Sequence, residues 1–198
     1  KLYPLTYSYL QSQRVKLEER AQYQKWYAFS APRSLLLHSK ADILIPLLAD
    51  KGIFTELPLN KDLYTLMAGG GFSISIFNEN INRHFLLGLL NSNLLFWVLK
   101  NVSNVFRGGW ITCTKQYFSQ LPIKKIDEQN KSEKSLHDEI VQLVTTMLQL
   151  QQQKQSSTLP EQLQQLEQRI AYTGDKINEK VYALYGLSAE EIGVVEGV

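Results

Sequence analysis

The sequence predicts an α+β fold, with a mixed globular domain over residues 1–125 and an antiparallel helical hairpin over residues 126–198. Before residue 125, short strand-like segments separated by Gly, Pro and Asn alternate with helical segments. A polar, charged boundary follows at residues 126–135. Beyond it, apolar residues recur at spacings of three and four, which is typical of helices that each bury one narrow stripe.

The globular part is predicted to contain one helix before a group of strands in the sequence and a second helix after them, which packs on the resulting sheet. Residues 5–22 have apolar side chains near helical spacing. An apolar helix with Phe85, Leu89, Phe96 and Leu99 on its buried face is predicted over residues 84–103. The strand-like segments between these helices are residues 41–48, 52–59, 63–68 and 71–78. A last strand pattern at residues 109–118 places Ile111 and Cys113 on one face and Trp110, Thr112 and Thr114 on the other.

The C-terminal part is predicted to fold back on itself, because neither of its narrow apolar stripes would be stable in a lone helix. The first stripe is Leu136, Ile140, Leu143, Met147 and Leu150; the second is Leu163, Leu166, Ile170, Thr173, Ile177, Val181 and Leu184. Pro160 suits the first turn of the second helix, and Gly186 suits its end. Such a hairpin is either a spacer arm or a helical cap on the domain.

Composition indicates a folded globular protein, with 44% apolar and 20% charged residues. The longest apolar run is broken at Asn91–Asn93 and falls short of a membrane span. The single cysteine, Cys113, fits a reducing cytoplasm and is expected to be a buried strand thiol. The chain begins without an initiator Met or a signal-peptide pattern, so a fragment of a longer polypeptide is expected.

Charge is divided unevenly along the chain. Residues 1–125 contain 15 Lys and Arg against 7 Asp and Glu, a net charge of +8, whereas residues 126–198 contain 6 against 12, a net charge of −6. A basic surface attracts nucleic acid, and an acidic helical segment would be repelled by it. The division therefore favours a nucleic-acid contact in the first part, although it also fits solvated faces of unequal charge.

The chain lacks recognisable catalytic motifs. The glycines of residues 69–71 are not followed by the Gly-Lys-Ser/Thr of a phosphate-binding loop and are expected to form a turn. No NPPY-like methyltransferase motif and no paired carboxylates of a metal-dependent nuclease occur. His38, His84 and His137 are too far apart to indicate a zinc site. Catalysis by these residues alone is not expected.

Two segments combine cations, aromatic residues and amides in the way that DNA-binding surfaces do. Arg can read guanine, Gln can read adenine, and Lys can hold a phosphate. Trp26 and Tyr27 fit a role as core anchors equally well. The candidate DNA-binding residues are Lys25, Trp26 and Arg33 in the first segment, and Arg107, Gly108, Gly109, Trp110, Lys115, Gln116 and Tyr117 in the second.

Five segments, in this order, resemble the C-terminal target-recognition region of the TaqI/Eco57I-type family of restriction-modification enzymes and adenine-specific DNA methyltransferases. They are PLTYSYLQSQRVKLEERAQ, KWYAF with APRS, LLGLLNSNLLFWVL, RGGWITCTKQYFSQLPI and VYALYGLSAEEIGVVEG. The most specific parts are Asn91-Ser92, Gly108-Gly109, KQYFSQLPI and LYGLSAEEI.

The resemblance implies a sequence-specific, double-stranded DNA recognition module that is followed by a helical spacer, like half of a type I specificity subunit. It implies no cofactor within these residues. S-adenosylmethionine, with Mg²⁺ as an additional candidate, is placed in an upstream methyltransferase or nuclease domain of the same polypeptide. The alternative function is a protein-interaction module whose helical hairpin docks a partner subunit or a second copy of the chain.

Overall fold

The computed structural model of the chain describes residues 2–30, 41–57, 70–78 and 80–197. These residues group into two compact units, residues 1–39 and residues 40–198. The α+β prediction is confirmed, because helices and a small antiparallel sheet are both present. The predicted strand at residues 63–68 and the candidate residue Arg33 lie outside the described residues.

The first unit contains two short helices, α1 (Pro4–Ser12) and α2 (Arg14–Glu18). A single helix was predicted over residues 5–22, but the backbone of Gln13 leaves the helical conformation with φ −100° and ψ 9°. None of the residues in these two helices is buried. The unit is instead organised by aromatic and arginine contacts.

The second unit is built on two small antiparallel sheets. In the first, β1 (Ile43–Pro46) lies between β3 (Thr55–Glu56) and β4 (Gly71–Ile74). In the second, β2 (Leu48–Ala49) pairs with β5 (Ile111–Thr112). Alternate residues of β1, Ile43 and Ile45, are buried, as expected for a strand with one face on a core. The strand pattern at residues 41–48 is thus confirmed over Ile43–Pro46, and that at residues 71–78 over its first four residues. The pattern at residues 109–118 is only partly right, because Ile111–Thr112 is a strand but Lys115–Phe118 is a short helix.

The helix predicted over residues 84–103 is two helices, α3 (Arg83–Asn91) and α4 (Asn93–Val102), bent by 62°. Ser92 causes the break: its hydroxyl donates to the Leu89 carbonyl at 2.6 Å and accepts from the Leu95 amide at 3.2 Å. This N-terminal cap starts a new helix where the old one ends. Of the predicted buried face, Phe96 is only half-buried, because the bend turns α4.

The helical hairpin is formed by α6 (Lys131–Ser156) and α7 (Pro160–Tyr185). A shorter helix, α5 (Lys115–Phe118), precedes it, and α8 (Ala189–Glu196) follows it. The pairs Lys154–Glu167 and Lys180–Glu139, both at 2.8 Å, show that α6 and α7 are antiparallel. Pro160 lies in the first turn of α7, and Gly186 ends the helix with a φ of 69°, as predicted.

One hydrophobic core joins the sheets to the helical hairpin. Ile43 of β1, Leu89 of α3, Ile140 of α6 and Val181 of α7 belong to the same buried cluster. The core therefore runs across residue 125, so the second unit has no separate core on each side of the predicted boundary. Among the described residues, no single helix has the length and apolarity of a membrane span, and the bent pair α3–α4 meets that test only when its two halves are taken together.

Candidate nucleic-acid interface

Residues 104–112 form a β-hairpin that we call the Arg107 hairpin. The amide of Thr112 donates to the Asn104 carbonyl at 3.0 Å, and Val105 faces Ile111 in an antiparallel bridge. Its tip is a turn of 3₁₀ helix over Arg107–Gly109. The φ angles of Gly108 and Gly109 are 78° and 81°. They lie in the left-handed region, which residues with a Cβ rarely adopt. The two glycines thus allow the chain to reverse immediately after Arg107.

The base of the Arg107 hairpin is fixed to the core. Ile111 and Cys113 are completely buried, and the Cys113 amide donates to the Leu47 carbonyl at 2.7 Å. Burial raises the pKa of the Cys113 thiol to about 11, so it is a thiol and not a nucleophilic thiolate at neutral pH. The predicted burial of the thiol is confirmed, although Cys113 lies just after the strand Ile111–Thr112 and not within it. Residues 104–110, by contrast, are all exposed.

The tip combines a cation with exposed apolar side chains. Arg107, Gly108 and Gly109 are all exposed. Val105, Phe106 and Trp110 retain 69%, 57% and 39% of their full exposure. Sequence reasoning singled out Trp110 but missed Phe106 and Val105, because a single apolar residue beside a strand pattern usually packs inside. Only the hairpin register shows that the Phe106 amide lies opposite the Trp110 carbonyl.

The helix α5 divides the remaining candidates into exposed and anchored residues. Lys115 and Gln116 are exposed, whereas Tyr117 is half-buried and packs against the core. The next residue, Phe118, meets Phe54 and Phe72 edge-on at centroid distances of 5.3 and 5.2 Å. These aromatic contacts hold α5, which follows the Arg107 hairpin in the chain, against Phe54 and Phe72. Lys115 and Gln116 are directed to solvent.

The whole region is free of acidic residues. Residues 80–126 contain no Asp or Glu, but they contain Arg83, Lys100, Arg107, Lys115, Lys124 and Lys125. Two of these are neutralised: Arg83 lies 3.8 Å from Glu56, and Lys124 lies 3.0 Å from Glu133. The other four have no ion-pair partner among the described residues. This run without carboxylates is the sequence signal that would have added Lys100 and Lys125 to the candidates.

Two candidate residues, Lys25 and Trp26, belong to the first unit. Trp26 is half-buried and meets Tyr7 and Tyr27 at centroid distances of 6.1 and 5.4 Å, while the Arg14 guanidinium lies 5.2 Å from its ring. Lys25 is exposed, with its ammonium 6.0 Å from the Tyr27 ring. These contacts make Trp26 a packing residue within its own unit.

Sequence reasoning missed Arg20, which organises this segment. Its guanidinium donates to the carbonyls of Leu17, Trp26 and Ala28 at 2.8, 2.6 and 3.0 Å, and to the Ser30 hydroxyl at 3.3 Å. Three carbonyls around one guanidinium hold the irregular segment after α2 in place. At the end of an apparent helix, Arg20 gave no sign of this role in the sequence.

A second polar cluster connects β3, α3 and α6. His84 Nδ1 lies 2.9 Å from the Thr145 hydroxyl, and His84 Nε2 lies 3.3 Å from a Glu56 carboxylate oxygen. The Thr145 hydroxyl donates in turn to the Val141 carbonyl at 2.8 Å, so it accepts from His84. The described residues contain no group of three His, Cys, Asp or Glu side chains that could hold a metal ion. The cluster ties β3, α3 and α6 together.

Comparison with known proteins does not supply a family. No protein-family model matches the chain, and no curated protein matches it at a significant level.

Proposed function

We propose that this chain is a double-stranded DNA recognition module that contacts DNA with the Arg107 hairpin and α5. The observation that carries the proposal is the position of Arg107. It is exposed and has no ion-pair partner among the described residues, and it lies at a glycine turn whose base is fixed to the core. The 47 residues around it, 80–126, contain no Asp or Glu, and the carboxylates outside this run that pair with its cations hold Arg83 and Lys124, not Arg107.

The side chains at the tip suit recognition of both bases and phosphates. A two-stranded β ribbon fits the major groove, where a guanidinium can donate two hydrogen bonds to one guanine. Gln116 is suited to adenine in the same way, and Lys115 to a phosphate oxygen. Because the base of the hairpin pairs with β2, binding does not have to order the segment that carries Arg107.

In the proposed function, the helical hairpin keeps a fixed distance between the recognition surface and a further domain. Each of its long helices contains 26 residues, which corresponds to about 39 Å at 1.5 Å per residue. Residues 126–198, which include it, carry a net charge of −6, which disfavours their contact with DNA. The resemblance to restriction-modification enzymes and adenine-specific DNA methyltransferases supports a parent of that kind, in which a separate domain of the same polypeptide binds S-adenosylmethionine, or Mg²⁺, and performs the chemistry.

The decisive test is DNA binding by Arg107 variants in the full chain. A duplex pool with a randomised centre would be selected for binding, and affinity for the selected duplex would then be measured by fluorescence anisotropy. Arg107→Ala is expected to weaken binding about tenfold, as for loss of one bidentate base contact. Arg107→Lys is expected to retain charge but lose discrimination at one base pair, because Lys cannot form the same pair of hydrogen bonds.

Arg169→Ala is the matched control, since Arg169 is an exposed arginine of α7 that has no ion-pair partner among the described residues. Affinity should also fall steeply with salt, with a slope of about −0.9 per phosphate neutralised. Unchanged affinity and base preference in Arg107→Ala would refute the assignment of Arg107. Equal losses of DNA affinity in Arg107→Ala and Arg169→Ala would show that the effect comes only from the change in net charge.

The alternative, docking of a partner through the apolar stripes of the helical hairpin, is less well supported. Those stripes are turned towards each other and the core: Ile140, Leu150, Leu166 and Val181 are all buried. Light scattering of Leu143→Asp distinguishes the alternatives. Loss of a multimer with DNA binding intact would favour the interaction module.

A further inference from the structure

Phe106 and Trp110 are two exposed aromatic residues of the Arg107 hairpin. They lie opposite each other across the tip, and side chains in such a pair extend from the same face of a β ribbon. Neither ring has an aromatic or cationic neighbour among the described residues. By contrast, Trp26 is surrounded by Tyr7, Tyr27 and Arg14.

The glycines of the tip keep this face uncovered. A Cβ added at Gly108 would lie 3.6 Å from Trp110 Cδ1, and one added at Gly109 would meet nothing within 4 Å. Any side chain at Gly108 would therefore begin to cover the indole ring. Phe106 and Trp110 are 57% and 39% exposed, and each lies within three residues of Arg107 in the sequence.

The occupant of such a surface needs a flat apolar face joined to a negative charge. A nucleotide has both, and every base can stack on an aromatic ring. An anionic lipid surface also combines charge with apolar groups, but it is bound by helices or loops with a larger apolar area. By the same register Val105 lies on the other face, so this face offers two exposed apolar side chains, Phe106 and Trp110, which suits one or two bases better than a bilayer.

We propose that Phe106 and Trp110 form a stacking platform for a nucleobase that has left its stack, so that the chain prefers DNA with an unpaired base. This inference rests on the proposed function, in which Arg107 contacts a base edge and Lys115 contacts a phosphate of the same DNA. In an intact duplex, both faces of each base are covered by its neighbours. Only an extruded, bulged or single-stranded base offers a face to these rings.

The test compares three DNA probes by anisotropy: a duplex selected as above, the same duplex with one bulged adenine, and the corresponding single strand. The wild-type chain is expected to bind the bulged duplex about tenfold more tightly than the paired one, as for the gain of one stacked base. In Phe106→Ala and Trp110→Ala this preference should disappear: the ratio of affinities for the bulged and the paired duplex, measured for each variant against its own paired-duplex affinity, should fall to about one. With 2-aminopurine as the bulged base, stacking should quench its fluorescence on binding.

Trp97→Ala is the matched control, because Trp97 is 37% exposed, close to the exposure of Trp110, but lies on α4 outside the hairpin. Circular dichroism and melting confirm that each variant folds. Equal affinity for paired and bulged duplexes, or an unchanged preference in both hairpin variants, would overturn the platform while leaving duplex recognition intact.

Other outcomes affect the proposed function separately. Binding of the single strand alone would refute duplex recognition but support the platform. Binding to phosphatidylserine vesicles with no binding to any DNA probe would overturn both.

Discussion

The second unit contains two hairpins that treat charge in opposite ways. In the helical hairpin, Lys180 pairs with Glu139 and Lys154 pairs with Glu167 across the two helices. In the Arg107 hairpin and α5, neither Arg107 nor Lys115 has an ion-pair partner among the described residues. The first arrangement fixes which residues of α6 and α7 face each other. The second leaves cationic groups available to an external anion.

The two hairpins also differ in the burial of their apolar side chains. The helical hairpin directs Ile140 and Val181 into the core, both with no exposure. The Arg107 hairpin buries its base at Ile111 but leaves Phe106 and Trp110 exposed. Exposed aromatic residues next to free cations stabilise nothing within the described unit. This difference indicates that the helical hairpin supports the structure, whereas the Arg107 hairpin is available for binding.

The largest expected effect comes from truncating the core that both hairpins share. Ile140→Ala removes buried methylene and methyl groups where α6 packs on α3, and should reduce the free energy of unfolding by about 2–4 kcal/mol. Urea denaturation followed by circular dichroism measures the change. DNA affinity of the remaining folded protein is expected to stay at the wild-type value.

Gln142→Ala, an exposed position on the same helix, is the control for Ile140→Ala and should change stability by less than about 0.5 kcal/mol. A loss below about 1 kcal/mol in Ile140→Ala would contradict a tightly packed shared core. Loss of DNA binding in the folded variant would contradict the separation of support from binding.

Most of the helical fold could be predicted, because α6 and α7 obey a local rule. Apolar spacing of three and four, Pro160 at the start and Gly186 at the end are all visible in the sequence. The bend at Ser92 was missed because an apolar run is compatible with one helix or two. Only the hydrogen bonds of Ser92 and Asn91 decide: the Asn91 side chain binds the amide and carbonyl of Phe54, 37 residues earlier.

An intermediate change in stability is expected from replacing either of two helical glycines by alanine, with opposite signs at the two positions. The pair tests how closely the helices pack. A Cβ at Gly88 would lie 2.8 Å from methyl groups of both Ile140 and Val144, which are stiff β-branched side chains. Gly88→Ala should therefore destabilise the protein by about 1 kcal/mol or more, despite the better helix propensity of Ala. It would force α3 away from α6.

Gly174→Ala is the matched comparison in α7. There a Cβ would meet Met147 Cε at 3.8 Å, an ordinary contact, so the variant should stabilise the protein by about 0.5–1 kcal/mol. Thermal unfolding of both variants measures the difference. Equal effects of the two substitutions would show that α3 and α6 are not in close contact at Gly88.

The candidate site was only partly predictable, because the sequence does not show which residues of the Arg107 hairpin lie opposite each other. Cations and glycines at residues 107–109 indicated a binding turn, and the exposure of Arg107 fits that prediction. The pairing of Phe106 with Trp110 depends on where the chain reverses, which the sequence pattern alone did not fix. Arg20 was missed because its partners are backbone carbonyls, which have no sequence signature.

The smallest expected effect is a difference in acid sensitivity between the hairpins. The hydrogen bond from Lys180 lowers the pKa of Glu139, and that from Lys176 lowers the pKa of Glu179. A carboxyl whose pKa is lower in the folded state contributes stability above its unfolded pKa and loses it as pH falls through the folded value. The helical hairpin should therefore weaken below about pH 4.5, where Glu begins to protonate.

The Arg107 hairpin contains no carboxylate to protonate. Melting temperatures at pH 7 and pH 4 should thus differ less in Glu139→Gln than in the wild type. Glu161→Gln, at an exposed residue in the first turn of α7, is the control and should follow the wild type. An identical acid shift in Glu139→Gln would mean that the Lys180 pair adds nothing to the helical hairpin. Its role would then be limited to register, because exposed ion pairs contribute little to stability.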